Sequence, residues 1–108
     1  MNGINTQGEN IADNGGIKEA YLAYDKWVKR NGEEPRLPGL NYTGQQLFWI
    51  SAASVWCSQM RLEELKQLVV TDEHVPDKYR VLAPFSNMEY FAKDFNCPPG
   101  SKMNPINK

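Results

Sequence analysis

The apolar residues of the first third of the chain recur at helical spacing and predict one long helix. Its apolar face carries Ile17, Tyr21, Tyr24 and Val28, while charged residues mostly lie on the other faces. The helix begins near Thr6 and extends to about Arg30, where Asn31-Gly32 is typical of a helix C-terminus. Each glycine in a helix interior costs up to about 1 kcal/mol. The Gly15-Gly16 pair therefore predicts a stop or a kink.

A second helix is predicted from about Gly44 to Met60. Thr43 and Gln46 have the spacing of a capping box, in which each side chain bonds to the backbone of the other residue. The residues that follow are apolar on nearly all sides of the helix, so it must be buried from several directions. A chain of 108 residues can hardly surround such a helix alone. This pattern indicates that the chain is part of a larger protein.

The rest of the chain predicts two shorter helices separated by irregular segments. Arg61 to Leu68 is compatible with a third helix, and Val69 to Pro84 is interpreted as irregular. Ser86-Asn87-Met88-Glu89 has the pattern of a second capping box, which opens a short helix that ends near Phe95. The proline-rich tail from Cys97 is interpreted as coil. The predicted fold class is mainly α, with four helical segments and long irregular loops.

Composition limits the classes of partner. The chain has a formal net charge of −1 and no basic block, which gives no electrostatic case for binding nucleic acid or an acidic membrane. Its longest apolar run, Leu47 to Cys57, is far shorter than the ~20 residues that span a bilayer. Residues 1–7 lack the pattern of a signal peptide. The composition alone is that of a soluble globular domain.

The cysteines and one sequon bear on the cellular compartment. Cys57 and Cys97 permit a single disulfide but do not require one. Asn41-Tyr42-Thr43 is an acceptor sequence for N-linked glycosylation, and the neighbouring prolines and glycine predict a surface loop there. Because such sequons also arise by chance, both a secreted and a non-secreted protein stay open on this ground.

The most informative local feature is the pair Glu9 and Asp13. Four residues apart on a helix, the two carboxylates share a face and repel by roughly 0.2–0.5 kcal/mol, which suggests a bound cation. A carboxylate is a suitable zinc ligand beside two imidazoles, and a second acid can orient a ligating histidine. The alternative is a solvated helix face. Since His74 is the only histidine and no H-E-x-x-H motif occurs, a complete zinc site cannot be built from this chain.

His74 and Arg80 form a second candidate pair. Both follow the polar stretch Thr71-Asp72-Glu73, and together they could polarise an oxyanion and hold a carbonyl or carboxylate group. The adjacent acids would raise the pKa of His74 and favour its charged form. The alternative is an exposed histidine in a polar loop.

Taken together, the sequence resembles the C-terminal part of the neprilysin and endothelin-converting-enzyme family of zinc metallopeptidases. The matching motifs cover essentially the whole chain: Asn2-Gly3, Gly8-Glu9-Asn10-Ile11-Ala12-Asp13-Asn14-Gly15-Gly16, Ala20-Tyr21, Ala23-Tyr24, Leu37-Pro38-Gly39-Leu40, Gln46-Leu47-Phe48, Val55-Trp56-Cys57, Thr71-Asp72 with His74 and Pro76, Tyr79-Arg80-Val81, Cys97-Pro98-Pro99-Gly100 and Met103-Asn104-Pro105. So many matches in the same order make the resemblance specific.

The resemblance implies that residues 1–108 are a C-terminal fragment of a thermolysin-like catalytic domain whose H-E-x-x-H part lies upstream. By this resemblance Glu9 is the third zinc ligand, and Asp13 is the acid that orients a ligating histidine. His74 then stabilises the transition state, and Arg80 binds a substrate backbone carbonyl. The family uses a zinc-activated water and the glutamate of H-E-x-x-H to hydrolyse peptide bonds. The fragment alone is therefore expected to be inactive and to bind zinc weakly.

The same resemblance implies the partners and the compartment. The expected partners are small peptide substrates and the upstream part of the same catalytic domain. Where that part would pack, the isolated chain is expected to expose an apolar face that is prone to self-association. The parent is expected at the extracellular face of the plasma membrane, on a single-pass type II anchor, or as a secreted protein. Cys57 and Cys97 are expected to pair with cysteines outside this chain. Two other hypotheses are a catalytically dead relative that serves as a binding module, and an autonomously folding unit.

Overall fold

The computed structural model describes residues 2–108, which form five helices joined by loops. The helices are α1 (Gly3–Asn31), α2 (Gly44–Ser54), α3 (Leu62–Thr71), α4 (Asp77–Asn87) and α5 (Glu89–Asp94). In this described part of the chain the extended structure is limited to one isolated bridge between Ser101 and Asn104. The predicted mainly α class is confirmed, with one helix more than predicted. None of these helices is long and apolar enough to cross a bilayer.

Helix α1 runs without interruption through Gly15-Gly16, so the predicted stop is wrong. The helix begins at Gly3 because the side chain of Asn2 accepts a hydrogen bond from the amide of Ile4. Tertiary contacts hold α1 on both sides of the glycine pair, through Asp13 before it and Tyr21 after it. These contacts offset a propensity cost of about 1 kcal/mol per glycine.

Helix α2 begins at the predicted capping box. The hydroxyl of Thr43 accepts from the amide of Gln46 at 3.1 Å, and the side chain of Gln46 accepts from the amide of Thr43 at 3.1 Å. The helix ends at Ser54, six residues before the predicted end at Met60. The chain then tightens into a turn, with the amide of Trp56 donating to Ala53, three residues back. This turn brings the indole of Trp56 against α4, a contact that the helical pattern could not predict.

Helix α4 occupies a segment that was predicted to be irregular, and this is the main error of the sequence analysis. Pro84 lies inside α4, and the segment has few strong helix formers. The helix packs against α1 and α5 and buries Phe85. Burial of this side chain overrides the weak local propensity. The short helix α5 was predicted, but its capping box did not form, because Ser86 lies inside α4 and Met88 is the N-cap of α5.

The core lies where α1, α2, α4 and α5 meet. Its buried centre consists of Tyr21, Trp49, Phe85 and Met88. The ring of Tyr21 stacks between those of Trp49 and Tyr90, with centroids 4.9 and 5.0 Å away. Offset aromatic pairs of this kind contribute about 0.5–1.5 kcal/mol beyond their buried area. These aromatic side chains therefore form the core and hold α1 against α2.

Asp94 joins three helices at the edge of this core. One of its carboxylate oxygens accepts from the hydroxyl of Tyr21 at 2.7 Å and from the indole nitrogen of Trp49 at 2.8 Å. Its backbone carbonyl accepts from the side chain of Gln46 at 3.0 Å. Burial, together with this hydrogen bond, raises the pKa of Tyr21. The folded chain therefore holds the phenolic proton more tightly than the unfolded chain.

This shift predicts a loss of stability at alkaline pH. The contribution of Tyr21 is fully present below its unfolded pKa of about 10 and is lost as the pH rises through the higher folded value. We expect the free energy of unfolding, measured by urea titration, to fall more steeply above about pH 10 in the native chain than in Tyr21→Phe. The exposed Tyr42→Phe is the matched control and should keep the native slope. Equal slopes for the native chain and Tyr21→Phe would contradict the prediction.

Candidate metal and substrate site

The four predicted site residues converge in one cluster, although they come from distant parts of the chain. Glu9 and Asp13 lie on α1, His74 lies in the loop between α3 and α4, and Arg80 lies on α4. A carboxylate oxygen of Glu9 is 3.2 Å from Nε2 of His74. Arg80 pairs with Asp13 across 67 residues of sequence. The packing of α1 against α4 creates both contacts.

Arg80 and Asp13 form a bidentate ion pair. Nε and Nη2 of Arg80 donate to the two oxygens of Asp13 at 2.7 and 2.6 Å. The side chains are only 13% and 16% exposed, so this pair is much drier than a surface ion pair. The hydrogen bond to Asp13 is the main cause that raises the pKa of Arg80. Within residues 2–108, Nη1 of Arg80 donates to no acceptor.

Arg80 also contacts the aromatic ring of Trp56. The guanidinium carbon of Arg80 lies 3.9 Å from the centre of the indole ring, which is the distance of a cation–π contact. No contact with Arg80 was predicted for Trp56. No local sequence signal predicts this contact. Trp56 lies in the turn after α2 and Arg80 lies on α4, and only the folded chain brings them together.

Asp13 can accept further hydrogen bonds beyond those from Arg80. Both of its oxygens accept from Arg80, and each retains a second lone pair that can accept another donor. Asp13 can therefore hold Arg80 and still orient a histidine from outside the chain. The second of these roles stays a prediction.

His74 lies between two carboxylates. Its backbone amide and Nδ1 are 2.8 and 2.9 Å from one oxygen of Asp72, and its Nε2 faces Glu9. The hydrogen bond to Asp72 raises the pKa of His74, while the backbone hydrogen bond from His74 is the first cause that lowers the pKa of Asp72. The predicted effect of the adjacent acids on His74 is thus confirmed. Asp72 itself was missed as a site residue, although an aspartate two residues before its partner is typical of an Asx-turn.

A hydrogen bond between asparagine side chains fixes α1 beside α4 near the cluster. Asn87 donates from Nδ2 to the side-chain oxygen of Asn14 at 2.9 Å. Asn14 in turn donates to the carbonyl of Asn10 on the same helix. These bonds lie one residue from Asp13 and on the far end of α4 from Arg80, so they constrain the angle at which the two helices meet.

The residues present fit a zinc site only in part. Glu9 offers a carboxylate whose side chain is 42% exposed, a suitable oxygen ligand. Among residues 2–108 no three His, Cys, Asp or Glu side chains form a group that could hold a metal ion. Glu9 can therefore serve as one ligand of a site whose other ligands come from elsewhere.

The remaining predicted residues lie outside the cluster. Cys57 is exposed and Cys97 is partly exposed, and both are free thiols in the structure. Asn41 is exposed in the loop between α1 and α2. The pairing of the cysteines with partners outside the chain and the glycosylation of Asn41 stay predictions.

Comparisons with known proteins agree with the resemblance. The family model for peptidase family M13 matches residues 1–108. Neprilysin-2 of Drosophila melanogaster is 56% identical over the whole chain, and endothelin-converting enzyme 1 of Bos taurus is 52% identical. The chain spans only 14% of the length of each of these relatives.

A solved structure also shares the fold. The structure titled "Haemonchus galactose containing glycoprotein complex" superposes with a TM-score of 0.93 at 44% identity, over 98% of this chain and 18% of the other. Together with the match of the family model to every residue, this shows that the chain belongs to peptidase family M13.

Proposed function

We propose that the chain is part of a zinc metalloendopeptidase that hydrolyses small peptides, and that it supplies the third zinc ligand and the substrate-binding residues. The membership in peptidase family M13 and the names of the relatives support a peptidase. The single observation that carries the proposal is the cluster of Glu9, Asp13, His74 and Arg80. A solvated helix face, the alternative for Glu9 and Asp13, would not place a basic side chain of another element against each of the two carboxylates.

Each residue has a role that follows from its surroundings. Zinc, when bound, supplies a Lewis acid and a water of lowered pKa. Glu9 would hold the metal through its exposed carboxylate. Arg80, fixed by Asp13 and Trp56, presents Nη1 to a backbone carbonyl of the substrate. Because Asp13 and Trp56 already hold the Arg80 side chain, it loses little conformational entropy when it binds a peptide.

Nε2 of His74, which faces Glu9 here, is the proposed donor to the negative charge that develops on the carbonyl oxygen once the carboxylate of Glu9 binds the metal. Its raised pKa extends the pH range in which it is a charged donor. A preorganised donor of this kind contributes about 10²–10³ to the rate in other acyl-transfer enzymes. Asp72 holds the ring in orientation through Nδ1.

The upstream part of the same catalytic domain is the proposed partner of the exposed face of α1. Ile4 and Ile11 are 82% and 65% exposed on this face. They line an open groove that also includes Asn10 and Met88. In the isolated chain this groove is the surface expected to self-associate. We place the whole protein at the extracellular face of the plasma membrane or in secretion, with Cys57 and Cys97 paired to cysteines of the missing part.

An activity assay distinguishes this proposal from a catalytically dead relative. The full-length protein should hydrolyse a fluorogenic peptide, lose the activity with a chelator and regain it with zinc. The isolated chain should show no measurable hydrolysis and weak zinc binding, because only one ligand is present. A zinc-free, inactive full-length protein would favour the catalytically dead binding module. Hydrolysis by the isolated chain that is lost when Glu9 is replaced would contradict the proposal that the other zinc ligands lie outside this chain.

A further inference from the structure

We propose that Ser58 holds the carboxylate of Asp77 away from Arg80 and thereby keeps Nη1 of Arg80 open to a substrate carbonyl. The consequence for substrate binding rests on the role proposed above for Arg80. In this arrangement Ser58 is a positioning residue, since it acts on the substrate only through Asp77 and Arg80.

A hydrogen bond between Ser58 and Asp77 joins the turn after α2 to the first residue of α4. Oγ of Ser58 donates to Oδ2 of Asp77. Within residues 2–108, the backbone of residues 58–60 makes no hydrogen bond to another backbone group. Two side-chain contacts therefore tie this turn to α4, the bond from Ser58 to Asp77 and the stacking of Trp56 on Arg80.

Asp77 lies within electrostatic range of Arg80. The two residues are three positions apart on α4, so their side chains share a face of the helix, with the acid before the base in the more favourable order. The hydrogen bond to Asp13 is the main cause that raises the pKa of Arg80, and the negative charge of Asp77 adds to this shift. The ion pairs of residues 2–108 nevertheless include none between Asp77 and Arg80. Asp77 is thus a nearby carboxylate that is directed to Ser58 instead.

A cavity beside the two residues gives Asp77 room to move. The cavity has a volume of about 150 Å³, and its walls include Asp77, Arg80, Met60 and Leu68. Since a water molecule takes up about 30 Å³ in the liquid, this space has room for a rotated carboxylate group. A carboxylate released from Ser58 can therefore turn towards Arg80 without displacing another side chain.

Nη1 of Arg80 is the donor that such a movement would occupy. Nε and Nη2 already donate to Asp13, whereas Nη1 donates to no acceptor within residues 2–108. A hydrogen bond between ionised partners is stronger than one to a neutral acceptor, so the carboxylate of Asp77 would compete well with a peptide carbonyl. The hydroxyl of Ser58 prevents this competition by binding Asp77 on the side of the turn.

The test is the steady-state kinetics of peptide hydrolysis by the full-length protein. Ser58→Ala should raise KM roughly 3- to 10-fold, the fold-change that corresponds to the net value of about one hydrogen bond. Its kcat should stay native, because the competing bond weakens binding of the substrate and of the transition state alike. Ser58→Thr keeps the hydroxyl and should keep the native KM.

Removal of the competing carboxylate should reverse the effect. The double variant Ser58→Ala/Asp77→Ala should return to the native KM, and Asp77→Ala alone should not raise it. Ser54→Ala is the matched control, since it removes a serine hydroxyl that bonds only within α2, to the carbonyl of Ser51. This variant should leave KM and kcat unchanged.

A bond that only fixes the turn predicts a different pattern, because Ser58→Ala and Asp77→Ala break the same bond. Equal increases of KM in the two single variants, or a double variant that keeps the raised KM, would overturn the inference. A native KM in Ser58→Ala would overturn it as well. None of these results affects the proposed function, since each requires an active native protein.

Crystal structures of the native and Ser58→Ala full-length proteins give a measurement that does not depend on activity. In the variant, an oxygen of Asp77 should lie about 2.7–2.9 Å from Nη1 of Arg80, and in the native protein it should not. This movement in a protein that hydrolyses no peptide would support the positioning of Asp77 by Ser58 and overturn the proposed function. An active protein in which Asp77 stays in place would overturn the inference alone.

Discussion

Replacing Glu9 with valine in the full-length protein should remove the zinc and reduce peptide hydrolysis by more than 100-fold. Loss of a residue that only supports a metal ligand costs about 10–100-fold in metal affinity or activity, and loss of the ligand itself should exceed this range. Valine has no oxygen to replace the carboxylate. Zinc content measured by mass spectrometry, together with hydrolysis of a fluorogenic peptide, gives two independent measurements of the effect.

Glu19→Val is the matched control. Glu19 is an exposed carboxylate on the same helix, and the substitution has the same helix-propensity cost. This variant should retain zinc and activity. If Glu9→Val kept its zinc and its full activity, the assignment of Glu9 as a ligand would be wrong.

Replacing Arg80 with alanine should lower the free energy of unfolding by about 2–4 kcal/mol, since removing one partner of a buried ion pair costs about 3–5 kcal/mol and this pair keeps some exposure. The substitution leaves the carboxylate of Asp13 mostly buried without its two donors, and it removes the stacking on Trp56. Urea unfolding of the chain measures this loss. In the full-length protein the same variant should raise KM for peptides more than it lowers kcat, because Arg80 is proposed to bind the substrate backbone.

The control is an ion pair on the surface of the same helix as Asp13. Lys29 pairs with Asp25 at 2.6 Å, but the two side chains are 72% and 38% exposed. Lys29→Ala should cost no more than about 0.5 kcal/mol. Arg80→Lys keeps the charge without the bidentate geometry and should lie between Arg80→Ala and the native chain. Equal stability of Arg80→Ala and Lys29→Ala would contradict the view that the Arg80–Asp13 pair is structurally important.

Elements that local interactions stabilise were predicted correctly from the sequence, whereas elements that depend on contacts between distant residues were not. The capping box at Thr43 and Gln46 is local, and it formed as predicted. Helix α4 was missed because burial of Phe85 against other helices, rather than local propensity, stabilises it. The helix through Gly15-Gly16 was mispredicted for the same reason. Packing contacts offset a local cost of about 1 kcal/mol for each glycine in α1 and of about 3 kcal/mol for Pro84 in α4.

The sequence by itself determined the helical class, the family resemblance and the four candidate residues of the site. These depend on periodicity and on ordered motifs, which are written along the chain. The tertiary structure alone decided which of these residues meet. Asp13 is paired with Arg80, Glu9 faces His74, and Asp72 and Trp56 hold the two basic residues in place. Contacts between α1 and α4 join residues far apart in sequence, so their partners follow from the packing of the core and from no local pattern.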